Sequence, residues 1–250
     1  MHDLAYDPIH DEMVVTSPFT QAILTFRGGA SGEEPPLRVI QGPHTQILGV
    51  GGIDKVSIDP EHNEIFLATA RHNIVVFPRE ANGDVTPIRV IEGSDTQIRF
   101  TEQTEGNGNT PPIRIDPVHN LLIVPSNGLG GNRYTGGGTG GALLIFDRAA
   151  SGNAKPLRVI RGPKTGLGNL RGQLEVYGPK GWIIVNTGRA IDVWNVADDG
   201  DAAPRWRIPL QQMTGRGGST GVALDAVHKE VIVANGPMNT ITTFYFPELF

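Results

Sequence analysis

The stretch Ile53–Gly93, IDKVSIDPEHNEIFLATARHNIVVFPREANGDVTPIRVIEG, decides the fold. It holds four short apolar runs, KVSID, EIFLA, NIVVF and PIRVI, separated by DPEHN, TARH and REANGDVTP. β-Branched and aromatic residues fill the runs, while Gly, Pro, Asn and Asp fill the breaks. That alternation predicts a four-stranded antiparallel meander.

The unit recurs in both directions. Its first strand and turn return as LAYDPIHDE (4–12), IRIDPVHNL (113–121), EVYGPKGW (175–182) and VALDAVHKE (222–230). Its fourth strand returns as PLRVIQG (36–42), PLRVIRG (156–162) and the degraded PRWRIPL (204–210), and no such strand follows Phe244. A small four-stranded sheet cannot cover both its faces alone, so each copy must stack on its neighbours. The expected fold is all-β, a β-propeller of five four-stranded blades in one domain over 1–250, with repeats at about 3–52, 53–112, 113–173, 174–218 and 219–250. Six blades is the alternative, left open by the incomplete last copy.

Composition agrees. Glycine (33) and proline (19) are abundant, as many tight turns require. There is no cysteine, so disulfide and thiolate chemistry are excluded. A net charge of −5 with no basic stripe argues against nucleic acid as a partner. No run approaches the roughly 20 apolar residues of a membrane helix. The opening MHDLAYDP enters a strand without a signal peptide or polar lead-in. A leader removed from a precursor and a cytoplasmic protein both account for this. The expectation carried forward is a periplasmic or secreted setting.

The cycle from IDPEHNEIFLAT through IVVFPREANGDVTPIRVIEG to the next GxxT resembles the NHL-type repeats of bacterial propellers. More distantly it is similar to SMP-30/gluconolactonase and streptogramin-lyase propellers. The likeness covers nearly the whole chain, and it rests on turn and strand motifs. It implies the fold, with six blades usual where five copies stand here. The lactonases of this likeness use a Glu, Asn and Asp set, which Glu175, Asn235 and Asp54 approximate without a motif to fix their order. The lyases use histidine as acid–base, for which His72 is best placed.

The repeated polar residues read as structure. Asp7, Asp59, Asp116 and Asp225 precede tight turns, where Asp accepts backbone N–H groups. His10, His62, His119 and His228 share one turn position on separate blades. Arg38, Arg89 and Arg158 are expected on the outer strand, where charge blunts edge pairing. Trp182, Trp194 and Trp206 are expected to fill wedges between blades.

Function is expected elsewhere. Connections after first and third strands are uniform, whereas 42–54, 93–112, 125–141, 162–173 and 214–221, after second and fourth strands, are irregular. Repetition constrains one face and leaves the other to vary, and varied loops on a rigid frame carry binding groups. The candidate ligand-binding set on that face, around the axial mouth, is Asp54, Arg71, His72, Arg133, Tyr134, Arg171, Glu175, Arg189 and Arg216. Its arginines could clamp a carboxylate, phosphate or acidic sugar, or pair with Asp54, Glu102, Glu105 and Glu175 and stiffen the mouth. The Gly-rich 127–141 stretch lacks the GxxxxGK[ST] order of a phosphate loop. Two functional readings result. The first is a non-catalytic module binding a protein, glycan or small anion, or serving as a subunit of a larger complex, without a cofactor. The second is a metal-assisted hydrolase or lyase with calcium or another divalent ion at the mouth.

Overall fold

The computed structural model describes residues 3–47, 55–100, 110–127, 140–168, 174–187, 190–210, 219–235 and 239–250. It is all-β and of propeller type, with five consecutive antiparallel blades whose strand order follows the chain. The first sheet is β1 (Leu4–Asp7), β2 (Glu12–Ser17), β3 (Ala22–Arg27) and β4 (Arg38–Ile40). The second is β5 (Val56–Asp59), β6 (Glu64–Thr69), β7 (Asn73–Pro78) and β8 (Arg89–Ile91). The third is β9 (Arg114–Asp116), β10 (Leu121–Ser126), β11 (Ala142–Asp147) and β12 (Arg158–Arg161). The fourth is β13 (Leu174–Tyr177), β14 (Trp182–Asn186), β15 (Ala190–Asn195) and β16 (Trp206–Pro209). The fifth has three strands, β17 (Ser219–Asp225), β18 (Glu230–Asn235) and β19 (Thr240–Tyr245).

By contact the chain divides into two units, Met1–Pro117 with Ala149–Lys155, and Val118–Arg148 with Pro156–Phe250. In the first unit β1, β5 and β9 lie side by side in succession. Its core is the apolar filling between the first two sheets, including Val14, Ile23, Ile40, Ile65, Leu67, Val75 and Phe77. In the second unit one core joins Ile123, Leu143 and Ile145 to Leu174, Ile183 and Trp194. The other joins Ile184 and Val193 to Val222, Val233 and Leu249. The tryptophans do fill wedges: Trp194 is fully buried and donates from Nε1 to the Ala202 carbonyl at 3.0 Å. Trp182 meets Trp206 edge-on, and Trp206 meets Phe246.

Neighbouring blades are latched by a motif that recurs with the sheets. The connection after each third strand carries Ala-Asn-Gly-Asp (81–84), Ala-Ser-Gly-Asn (150–153) or Asp-Asp-Gly-Asp (198–201). Its glycine bonds along the fourth strand of the preceding sheet as a one-residue parallel bridge: Gly83 to Ile40, Gly152 to Ile91, Gly200 to Ile160. The residue after the glycine then accepts a backbone N–H from the following turn, Asp84 from His44 (2.7 Å), Asn153 from Asp95 (2.8 Å) and Asp201 from Lys164 (2.8 Å). This explains why 149–155 belongs by contact to the first unit. Gly42 and Gly162, at φ 140° and 148°, lie where a Cβ would enter the Asp84 and Asp201 side chains. Only glycine meets both demands there. The first sheet's counterpart, Ala-Ser-Gly-Glu (30–33), shows only local backbone bonds among the described residues.

The aspartate turns are as the sequence implies. Asp7 Oδ1 accepts the N–H groups of Ile9 (2.9 Å) and His10 (3.0 Å), while Oδ2 meets His10 Nδ1 at 2.8 Å. Asp59–His62 and Asp225–His228 repeat the arrangement.

The arginines require a correction. Arg38 and Arg89 do not stand off the outer edge in solvent. They lie half-buried across their own sheets, against the glutamate that opens the second strand. Arg38 Nη2 bonds Glu12 Oε2, which also takes Arg79 Nη1 at 2.7 Å. Arg89 grips Glu64 in a fork with both bonds at 2.7 Å. The third sheet has Leu121 where these have glutamate, and Arg158 Nη1 instead donates to the Val196 carbonyl at 3.2 Å. The stem of a long cationic side chain covers apolar strand while its fork finds a carboxylate, and that geometry is more stable than solvation at an edge.

Candidate functional site

In an antiparallel meander the connections after second and fourth strands leave one end of the sheet. They vary widely here: 41–55, 92–113, 127–141, 162–173 and 210–218, against 18–21, 70–72, 187–189 and 236–239. The connections after first strands always span four residues, at 8–11, 60–63, 117–120, 178–181 and 226–229.

Three of the long connections begin as part of the frame. Gly-Pro-His-Thr-Gln-Ile (42–47), Gly-Ser-Asp-Thr-Gln-Ile (93–98) and Gly-Pro-Lys-Thr-Gly-Leu (162–167) form the same 3₁₀ turn. Each threonine hydroxyl donates to its glycine carbonyl, at 2.6, 2.7 and 2.6 Å. Each also accepts the N–H of the aliphatic residue two places on, which is buried. The variable part therefore starts after Ile47, Ile98 and Leu167. Two short patterns carried this distinction in the sequence, G-[PS]-x-T-x-[IL] and x-G-[DN].

At the second sheet the first unit builds a defined corner. Thr69 Oγ1 accepts the Arg71 N–H at 3.2 Å and donates to Asn73 Oδ1, and the chain turns through His72 at φ 62°. Asn73 Nδ2 donates to Glu92 Oε2 at 3.3 Å. His72 Nδ1 accepts the Phe100 N–H at 2.9 Å, and the two rings lie 6.0 Å apart. An Nδ1 that accepts holds no proton, so the imidazole is neutral with its hydrogen on Nε2. His72 thus fastens the long connection to the sheet. The same bond sets Arg71 and Arg99, each one residue earlier, together at this end, both exposed.

In the second unit Glu175 is half-buried on β13, opposite Ile184. Asn186 Nδ2 donates to the Gly221 carbonyl at 3.4 Å, and Asp192, buried, takes a fork from Arg207 at 2.7 and 3.0 Å. Of the predicted set, Arg71 and His72 are brought together and Glu175 stands in the other unit. Asp54, Arg133, Tyr134, Arg171, Arg189 and Arg216 lie outside the described residues, as do Glu102 and Glu105.

One group among the described residues has metal-ligand geometry: Asp225, His228 and Glu230, with ligand atoms within 4.8 Å of one another. Asp225 and His228 already bond each other at 2.7 Å, as their counterparts do in the first two sheets. Hydrogen bonding to His228 holds the Asp225 carboxyl below its ordinary range, and bonding to Asp225 raises the His228 imidazole. This is the shared turn motif, here exposed.

The fold and its corner define a β-propeller-type repeat protein with a uniform, latched frame and one variable end. Neither protein-family models nor curated proteins match the sequence.

Proposed function

We propose that this chain is a non-catalytic binding or assembly module, akin to NHL-repeat propellers, that recognises a partner through the long-loop end of its blades. The observation that carries the reading is the division of labour among connections. Those after first and third strands are spent on turns and latches, and those after second and fourth strands differ in every sheet. The histidines support it as well. His10, His44, His62 and His228 are paired with aspartates and His72 with the Phe100 N–H, so each serves the frame. Arg71 and Arg99 at the second-sheet corner give the ligand its chemistry, an anionic group on a protein, a glycan or a small molecule. A periplasmic or secreted setting and the lack of a resident cofactor belong to the same reading.

Titration calorimetry with citrate, inorganic phosphate and galacturonate tests it. Binding of at least one anion, weakened about tenfold or more in Arg71→Ala and Arg99→Ala, about 1.4 kcal/mol, is the expected result. Turnover of lactone or ester substrates that chelator abolishes and Glu175→Ala removes would refute it in favour of the hydrolase.

A further inference from the structure

The fifth sheet has an outer edge that the other four cover. In those four, the carbonyl of the fourth residue of the third strand accepts an N–H from the segment leading into the fourth strand. Thr25 takes Leu37 (2.7 Å), Val76 takes Ile88 (2.9 Å), Ile145 takes Leu157 (2.7 Å) and Val193 takes Arg205 (2.7 Å). The equivalent residue of β19 is Thr243, and no strand pairs with the outer side of β19 among the described residues.

The side chains register the difference. The second residue of each third strand is Ile23, Ile74, Leu143 or Ile191, each at most 1 % exposed and each directly opposite an isoleucine of the fourth strand: Ile40, Ile91, Ile160 or Ile208. Its counterpart Ile241 is 76 % exposed, and Tyr245 is 71 % exposed. Two places from the isoleucine, the fourth strand carries the arginine that reaches Glu12 or Glu64 in the first two sheets. Glu230 opens β18 at the position of those glutamates and carries no arginine among the described residues.

We infer that the outer edge of β19 is a strand-docking site for an extended segment of a separate polypeptide that carries a basic residue two places before an aliphatic one. Addition of a strand to an open edge takes its affinity from main-chain bonds and its selectivity from alternate side chains. Three features of the edge set that selectivity. Thr243 offers the main-chain acceptor. Ile241 offers the apolar contact. Glu230 selects a basic residue opposite Thr243, as Arg38 stands opposite Thr25 and Arg89 opposite Val76. An aliphatic residue two places on then faces Ile241. The first unit holds an independent sign of the same unmet need: the Ser31-Gly32-Glu33 latch repeats the sequence that elsewhere grips a fourth strand, and it grips none among the described residues.

The probe is a labelled, end-capped peptide TPIRVIEG, the sequence of residues 86–93. Fluorescence anisotropy should show saturable binding, weakened at least tenfold when the peptide arginine is replaced by glutamate. Glu230→Arg protein should reverse that preference, a charge swap that mere loss of structure cannot produce. Thr243→Pro removes an outward main-chain donor without touching the β18 pairing, so it should abolish binding while leaving the melting temperature in place. The inference is overturned by no binding up to about 1 mM peptide, or by binding indifferent to both the peptide arginine and Glu230. It is also overturned by a concentration-dependent dimer in light scattering that Thr243→Pro dissolves, since that would assign the edge to a second copy of the chain.

Discussion

Three glutamates at one repeat position offer a controlled comparison, because the fold gives each a different set of partners. Glu12 is bonded by Arg38 and Arg79, with its own side chain 9 % exposed and theirs 14 % and 11 %. Glu64 holds Arg89 alone in a two-bond fork. Glu230 holds no arginine among the described residues. Replacement of Glu12 by glutamine keeps the shape, removes the charge and leaves two nearly buried guanidinium groups with one neutral acceptor. Hydrogen bonds to charged groups contribute about 1.5–3 kcal/mol each, and breaking a buried pair costs about 3–5 kcal/mol. For a largely buried triad open at one side, Glu12→Gln should therefore cost about 2–4 kcal/mol. Glu64→Gln should cost about 1.5–3 kcal/mol, and Glu230→Gln should stay within about 0.5 kcal/mol. At about 2–4 °C per kcal/mol for a chain of this size, Glu12→Gln lowers the melting temperature by roughly 4–16 °C. Urea and thermal unfolding followed by circular dichroism read all three variants. The order Glu12, Glu64, Glu230 is the prediction. Equal effects at all three positions, or a neutral Glu12→Gln, would refute the reading of the arginines as buried staples. The acid limb gives a second check. Burial pushes the Glu12 carboxyl up, but bonds from Arg38 and Arg79 outweigh it and hold the group below its ordinary range. Its contribution is present above the unfolded value and is lost as pH falls through the lowered one.

The latch predicts that Gly162→Ala destabilises, since a Cβ there enters the Asp201 side chain at φ 148°; a cost of about 1–3 kcal/mol in urea unfolding is expected, and a neutral result would contradict the latch. Asp201→Ala removes the bond to the Lys164 N–H and should cost about 0.5–1.5 kcal/mol, read the same way. For the exposed Asp225–His228 pair, His228 is raised above its ordinary 6.5 by the bond to Asp225, so its contribution is full below 6.5 and lost as pH rises through the raised value. Asp225 is lowered by His228, so its part is present above 3.8 and lost as pH falls through the lowered value. The melting-temperature difference between His228→Gln and the parent protein should accordingly peak between those limits and vanish at both ends. Trp194→Ala empties a fully buried site between the third and fourth sheets and should cost about 3–5 kcal/mol, measured by urea unfolding.

Strands, turns and the number of sheets were legible because each rests on local chemistry repeated five times. Asp-Pro-x-His encodes its turn within four residues, and the β-branched runs encode their strands by composition. The role of the arginines was not legible in the same way. R-V-I alternation looks identical whether the guanidinium points to solvent or lies across two strands to a glutamate 25 or 26 positions earlier. Only the pairing register distinguishes them, and register is a property of two strands at once. The extent of the candidate site was misjudged for a related reason. Gly-Pro-His-Thr, Gly-Ser-Asp-Thr and Gly-Pro-Lys-Thr look like loop composition, and their function as clamps for the next blade's x-G-[DN] latch appears only when the two motifs are set side by side. His72 shows the same limit in one residue. Its isolation from the repeated turns made it the natural acid–base candidate, and its Nδ1 is committed to the Phe100 N–H.

A repeat protein separates frame from function by period, and the most informative residues are those that keep a repeat's identity while losing its partner. Glu230 is still glutamate although no arginine answers it, and Ile241 is still isoleucine although none faces it. An exposed isoleucine beside an unpaired strand edge is an aggregation hazard that soluble proteins normally blunt with charge, proline or a bulge. β19 has none of these on its outer side; its sequence TITTFY is flat, uncharged and of high β-propensity. An edge left so regular is suited to being paired, and the glutamate beside it selects what pairs.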